Sequence, residues 1–293
     1  MESKNQEVEN IPSVFLPDGT AVPCLGQGTW HLGEKQVLRE QEIRALRVGT
    51  EKGMILIDTA EMYGEGASEE LIGEAIQPLD RDKIFLVSKV YPHNAGRKRI
   101  FESCKNSLNR LGTSYLDLYL LHWRGSVPLA ETVSCMEELI NQGLIRRWGV
   151  SNFDYADMKE LWNVSGGDRC AVNQVLYCLD SRGIEYDLLP WQNQHHIPIM
   201  AYCPLAHGGN TSKKLQHNHA VETVAAAHNA TPVQVLLNFA VRSGTIIAIP
   251  KSSTPEHTQE NAESVFFKLT EEDLALLENE FPHPQRKMPL DIM

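Results

Sequence analysis

From residue 24 onward the chain alternates short, solid apolar blocks with longer stretches whose apolar positions recur every three or four residues. The blocks fall at 24–30, 54–57, 84–87, 116–121, 147–150, 171–175, 197–201 and 245–249. They are continuous rather than alternating, as expected of parallel strands covered on both faces. Between them the period becomes helical. Ile100, Phe101, Cys104, Leu108 and Leu111 share one face, and Leu129, Val133, Met136, Leu139 and Ile140 share another, with Gly143 placed to end that helix. Thr231-Pro232 supplies a capping hydroxyl and then a proline suited to a first turn. Ahead of the repeating part, two apolar runs flank Asp18-Gly19 within residues 13–23, which predicts a hairpin.

Eight strand–helix units in a chain of 293 residues predict an α/β protein: a single (β/α)8 TIM barrel, one domain over residues 1–293, with the N-terminal β-hairpin closing its bottom. Residues 1–10 are expected to be flexible. A doubly wound sheet is the alternative. Lys and Arg number 27 against 38 Asp and Glu, a net charge of −11, the wrong sign for a nucleic-acid or membrane-surface binder. No stretch reaches the roughly 18 apolar residues of a membrane span, and the first residues carry no signal-peptide core. The six cysteines are scattered without a C-x-x-C, so they read as reduced thiols of a cytoplasmic protein.

Functional side chains in such barrels stand at the C-terminal ends of the strands. Those ends read Asp58-Thr-Ala, Ser88-Lys89, His122-Trp123, Ser151-Asn152-Phe153, Asn173-Gln174, Tyr202 and Lys251-Ser252. Each alone is weak, because loops are polar anyway. Seven on one face describe a site. Asp58 and Lys89 end neighbouring strands and predict a buried ion pair, which for an arbitrary pair would be structural. Tyr63 follows five residues after Asp58. A phenol is a poor acid near neutral pH, with an ordinary pKa of about 10, and an adjacent ammonium is expected to lower it. With His122 as a further hydrogen-bond partner, the four make a group able to donate a proton to a carbonyl oxygen. That chemistry is carbonyl reduction, and it needs a hydride donor.

Three segments then carry a resemblance: Gly53-Met-Ile-Leu-Ile-Asp-Thr-Ala-Glu-Met-Tyr63, Met136-Glu-Glu-Leu-Ile-Asn-Gln-Gly-Leu-Ile-Arg-Arg-Trp-Gly-Val-Ser-Asn-Phe153 and Ile249-Pro-Lys-Ser252. From about residue 14 onward the chain resembles an aldo-keto reductase, and Asp58, Tyr63, Lys89 and His122 match that family's catalytic tetrad. Leu118-Tyr-Leu-Leu-His-Trp123 and Gly183-Ile-Glu-Tyr-Asp-Leu-Leu-Pro190 resemble the bacterial members that reduce methylglyoxal and other small aldehydes. The resemblance implies that Ser151, Asn152 and Gln174 bind a nicotinamide carboxamide and that Tyr202 stacks on its ring. It also implies that Gly28, Thr29, Cys203, Pro204, Leu205, Ser252, Ser253, Glu260 and Asn261 contact the rest of the cofactor. Trp30 and Trp123 would wall the substrate pocket. Lys251, beside a helix that opens with Thr254-Pro255, suits the 2′-phosphate of NADP(H). His257 stands where many relatives have arginine, which leaves NAD(H) as a second cofactor. The short segment after Trp123 and the short tail at 282–293 imply a shallow site for small aldehydes and α-dicarbonyls. His122 departs from the glutamate of steroid double-bond reductases.

Other readings compete. A cofactor-sensing regulatory subunit of the same fold, and an alcohol or sugar-alcohol dehydrogenase working oxidatively, share the architecture. Gly26-Gln-Gly28-Thr-Trp-His31 begins like a dinucleotide fingerprint but lacks its third glycine. Gly149-Val-Ser151-Asn-Phe153 lacks the second glycine of a nucleophile elbow. His195-His196 and His217-Asn-His219 lack partners at ligand spacing, so no metal is expected. The partner expected is a small carbonyl compound, and the chain is expected to be a monomer or weak dimer.

Overall fold

The computed structural model describes residues 10–293, and the flexibility expected of residues 1–10 concerns mainly residues outside that range. The hairpin is present: β1 (Ser13–Phe15) pairs antiparallel with β2 (Ala21–Pro23). Gly19 takes a positive φ at its turn, the conformation for which Asp-Gly is suited. Eight strands follow in one parallel sheet, ordered as in the chain: β3 (Gln27–Gly28), β4 (Leu56–Asp58), β5 (Phe85–Val90), β6 (Leu118–Leu121), β7 (Trp148–Ser151), β8 (Asn173–Leu176), β9 (Ile199–Tyr202) and β10 (Ile246–Ala248). The sheet curls until its ends meet. Leu25 bridges Ala248 and Gly28 bridges Lys251, both parallel, with Gly26 N–H donating to the Ala248 carbonyl at 2.8 Å and Gly28 N–H to that of Pro250 at 3.0 Å. A Cβ on Gly28 would stand 2.7 Å from the Ile249 carbonyl oxygen, so only glycine lets this seam close.

Helices cover the sheet: α1 (Arg39–Glu51), α2 (Ala67–Ile76), α3 (Ile100–Leu111), α4 (Leu129–Asn141), α5 (Tyr155–Trp162), α6 (Leu188–Gln194), α7 (Gly209–Gln216), α8 (His219–Ala227), α9 (Pro232–Val241), α10 (Pro255–Glu263) and α11 (Glu271–Glu280). The helix ring closes where α1 packs on α10. Three helices, α7 to α9, occupy the long β9–β10 interval; α9 lies on β10, and α8 packs against α9 and α11. Caps fall where the sequence places them. Thr231 closes a capping box with Gln234 ahead of Pro232, and Thr254 caps α10 ahead of Pro255.

The hairpin lies at the N-terminal end of the barrel. Arg147, just before β7, reaches Asp18 at 2.6 Å and Thr20 at 2.5 Å, while Val14, Leu16 and Val22 are buried. In position, most strands begin one or two residues later than their apolar blocks, because the first residues of each block finish the preceding turn. Asp58, Lys89, Ser151 and Tyr202 stand at or next to the last residues of their strands, Gln174 stands two residues before the end of β8, and His122 lies one position beyond β6. Among the described residues no helix is long and apolar enough to cross a membrane.

Candidate active site

The C-terminal ends of the strands open into one cleft of about 470 Å³. Asp58 ends β4 and Lys89 is the penultimate residue of β5; both are buried, Lys89 completely. The Lys89 ammonium donates to Asp58 Oδ2 at 2.8 Å, to the Thr59 carbonyl at 2.9 Å and to the Tyr63 hydroxyl at 3.0 Å. All three of its protons are therefore committed. Gln174, on the far wall, donates to the other carboxylate oxygen of Asp58 at 2.8 Å. The Tyr63 ring stands edge-on to His122, 5.7 Å between centroids, and both face the cleft.

Burial pulls the Lys89 pKa down, but Asp58 and Tyr63 more than offset it and the net direction is up, so the ammonium stays charged. Burial likewise pushes the Asp58 carboxyl up, opposed by Lys89 and Gln174. The expectation that Lys89 lowers the Tyr63 pKa needs correction. Burial raises it first, Lys89 pulls it down, Asp58 adds to the rise, and the net direction is up. At neutral pH Tyr63 is a protonated phenol that already holds the proton to be donated.

His122 is held down to about 2, by burial first and by the Lys89 charge second, so its imidazole is neutral across the working range; its Nδ1 is buried without a protein partner. The unfolded chain would take up that proton near about pH 6.5. Between 6.5 and 2 the unfolded state therefore binds more protons, and stability falls as pH drops through this window. The melting temperature of the parent should fall more steeply from pH 7 to pH 4.5 than that of His122→Asn. Parallel slopes for the two proteins would assign the acid sensitivity to other groups.

The remaining expected residues separate into two groups. Gly28, Thr29, Trp30, Trp123, Ser151, Asn152, Gln174, Tyr202, Cys203, Pro204, Leu205 and Lys251 line the cleft. Asn152 ties three of its walls together: its amide donates to the His122 carbonyl and to Ser151 Oγ, each at 3.2 Å, and its Oδ1 accepts from the Tyr202 hydroxyl at 2.8 Å. Ser252, Ser253, His257, Glu260 and Asn261 stand outside that lining, around the first turns of α10. There His257 Nδ1 lies 3.2 Å from Glu260 Oε2, and Asn261 is buried. Thr29 is fully buried and spends its hydroxyl on the Asp58 carbonyl at 2.8 Å. Its side chain therefore braces the strand end.

Backbone strain gathers at this face. Of the seven non-glycine residues with positive φ among the described residues, His31, Glu65, Asn152, Cys203 and Ala206 border the cleft or its Tyr63 turn. Such conformations persist where surrounding structure enforces them and cluster at functional sites.

Sequence reasoning missed several lining residues, including Met62, His207, Ser212 and Met293. Met62 adjoins Tyr63 and could have been read from its motif. Met293 could not, because only the folded tail brings it there. That tail also corrects the expectation of a site left shallow by a short C-terminus. Lys287 pairs with Asp187 at 3.2 Å, Leu290 packs on the core, Ser181 hydrogen-bonds Asp291, and Met293 Sδ lies 3.0 Å from Cys203 Sγ. A short tail can still cover one side of the mouth when its path is pinned. Among the described residues no group of three or more His, Cys, Asp or Glu converges as a metal site.

A family model described as the aldo/keto reductase family matches residues 24–279. The methylglyoxal reductase YeaE of Escherichia coli strain K12 is 53% identical over 273 residues, 93% of this chain and 96% of that protein. The crystal structure of an aldo/keto reductase from Klebsiella pneumoniae in complex with NADP and acetate superposes with a TM-score of 0.94 at 49% identity, covering 97% of this chain and 100% of the other. A second structure of an aldo-keto reductase from the same organism, in complex with NADPH, gives the same figures.

Proposed function

Since the chain belongs to the aldo/keto reductase family, we propose that it reduces small aldehydes and α-dicarbonyls of the methylglyoxal kind to alcohols, with NADPH as the reductant. The observation that carries the reading is the Lys89 ammonium held at once by Asp58, the Thr59 carbonyl and Tyr63, at the foot of a cleft sized for a small carbonyl beside a cofactor. Bound there, NADPH would supply the hydride.

The residues present suit such a cofactor. Ser151, Asn152 and Gln174 line the wall a carboxamide would meet, Gln174 through its carbonyl oxygen because its amide is engaged by Asp58, and Tyr202 offers an aromatic face. Lys251 is exposed at the rim, and among the described residues no carboxylate pairs with it, as suits a lysine reserved for a phosphate. The substrate oxygen is received by the Tyr63 hydroxyl and the neutral His122. Tyr63 gives its proton to the developing alkoxide, and the Lys89 charge stabilises the phenolate left behind. Asp58 keeps Lys89 charged and aimed. Trp30 and Trp123 wall the substrate side. His257, with Ser252, Ser253, Glu260 and Asn261, would complete the adenosine end, and NADH remains a weaker alternative because an imidazole cannot form the two-pronged phosphate contact of a guanidinium.

We further propose a single barrel domain working in the cytoplasm as a monomer or weak dimer, without nucleic-acid or membrane partners. The six unpaired thiols, five of them buried, suit a reducing compartment. The test is the loss of reduced-nicotinamide absorbance with methylglyoxal, run with NADPH and with NADH. Rapid NADPH oxidation is expected. Inertness toward both, across several small aldehydes, would instead favour a cofactor-sensing regulatory role. In the same assay Lys251→Ala should raise KM for NADPH by about tenfold, the scale of one charge-assisted contact, and leave KM for NADH nearly unchanged. Equal losses would put the 2′-phosphate elsewhere.

A further inference from the structure

Between Tyr63 and α2 the chain passes through three consecutive residues of positive φ, Gly64 at 56°, Glu65 at 52° and Gly66 at 98°. The helical conformation is interrupted there, although Ala67 N–H still bonds the Gly64 and Tyr63 carbonyls, so the place of Tyr63 depends in part on anchors at either side. The upstream anchor is backbone: Glu61 N–H donates to the Lys89 carbonyl at 3.3 Å and Tyr63 N–H to that of Ala60 at 3.0 Å.

Downstream stands Ser68, the second residue of α2, fully buried together with Thr29 and Thr59. Their hydroxyls form a chain of one direction. Thr59 Oγ1 donates to Ser68 Oγ at 3.1 Å, Ser68 Oγ donates to Thr29 Oγ1 at 2.8 Å, and Thr29 Oγ1 donates to the Asp58 carbonyl at 2.8 Å. Each hydroxyl has one proton to give, and that of Ser68 also lies within reach of the Thr29 carbonyl, at 3.2 Å. The chain thus spans the two residues, 58 and 59, whose carboxylate and carbonyl take two of the three Lys89 protons. Ser68 is its middle member and the only one carried by the helix that follows Tyr63. The adjacent Glu69 binds Ser88 at 2.6 Å and Arg110 at 2.6 Å. It fixes α2 to β5 and α3 without touching residues 58–63.

We propose that Ser68 is a positioning residue for the reduction: by joining the start of α2 to Asp58 and Thr59 it sets the distance from the Tyr63 hydroxyl to the Lys89 ammonium. The inference rests on the reading of Tyr63 as the proton donor. Without the Ser68 hydroxyl, Thr59 has no acceptor and Thr29 loses its donor, so the strand end and the helix are free to drift apart. A small misplacement of a proton donor costs far more in rate than in binding.

The test uses the purified full chain with NADPH and methylglyoxal. Ser68→Ala is expected to lower kcat about tenfold, to change KM for NADPH less than about twofold, and to move the alkaline limb of the kcat–pH profile upward by about half a unit or more as Tyr63 loses its ammonium contact. Thr59→Val should reproduce the effect, and Thr59→Ser, which restores the hydroxyl, should recover most of it. The Thr59 pair carries the test if Ser68→Ala does not fold. Parent-like kcat and pH limb in folded Ser68→Ala overturn the proposal, as does a loss of kcat with an unmoved limb or one that Thr59→Ser fails to rescue. Tyr63→Phe separates the two readings. Retained turnover there removes the proton-donor reading and this inference with it, whereas an inactive Tyr63→Phe beside a parent-like Ser68→Ala removes this inference alone.

Discussion

Tyr63→Phe is expected to lower kcat for methylglyoxal by about 10³-fold, within the range that a positioned general acid supplies, while the fold and NADPH binding persist. The substitution removes one oxygen from a half-buried ring. The ring itself stays held, because the Lys89 ammonium lies over it, 4.7 Å from the centroid, an attraction that phenylalanine shares. Lys89 loses one acceptor of three and keeps Asp58 at 2.8 Å and the Thr59 carbonyl at 2.9 Å, so no buried charge is stranded. His122 remains neutral and cannot replace the lost acid. Steady-state kcat and a fluorescence titration with NADPH check the two halves. Turnover within tenfold of the parent would take the acid role away from Tyr63, and a large loss of NADPH affinity would mean that the hydroxyl helps to hold the cofactor.

The largest effect on stability is expected from Arg182→Ala, at about 3 kcal/mol, the scale for breaking a buried ion pair from one side. Arg182 is 8% exposed. It donates to Glu185 Oε2 through two nitrogens at 3.0 and 2.6 Å, to Glu278 Oε2 at 2.6 Å and to the Phe281 carbonyl at 2.5 Å. It thereby ties the loop after β8 to the end of α11. Glu185 keeps Tyr177 and Arg242 when the guanidinium goes, which is why the loss does not reach the upper end of the range. For a protein of this size the melting temperature should drop by about 5 °C. The neighbouring Ser181 holds Asp291, so a raised KM for aldehyde, through a loosened tail, should accompany the drop. A melting temperature within 2 °C of the parent would show that the network adds little beyond what water offers.

The architecture was legible because the barrel writes itself locally. Solid apolar blocks, helical spacing and caps such as Thr231-Pro232 need no knowledge of distant contacts. The same holds for the positions of Asp58, Lys89 and His122, which stand at or next to the ends of their own strands, with Tyr63 following Asp58 in the same motif. What escaped depends on three-dimensional closure. The strand starts were displaced because an apolar residue serves a turn or a strand equally well until a neighbour hydrogen-bonds it. The rise in the Tyr63 pKa escaped because spacing reveals an ammonium nearby but not the depth at which both lie. The role of Thr29 as a brace, and of Met293 as a wall, arises from chain segments far apart in sequence.

The seam between β3 and β10 bears on the order of assembly. Leu25 with Ala248 and Gly28 with Lys251 are the most distant pairings of the sheet, and closing a longer loop costs more chain entropy before any contact rewards it. Asp58 and Lys89, on adjacent strands, and Tyr63, in the turn after the first of them, lie early in the chain, whereas the Gly28–Lys251 wall exists only once the last strand docks. A nascent chain still lacking β10 holds the residues of the proton-donating corner but cannot form the Gly28–Lys251 wall. A nucleotide lying across that wall would favour the closed ring over the open one by mass action, so the cellular supply of the reductant would also act on the maturation of the enzyme.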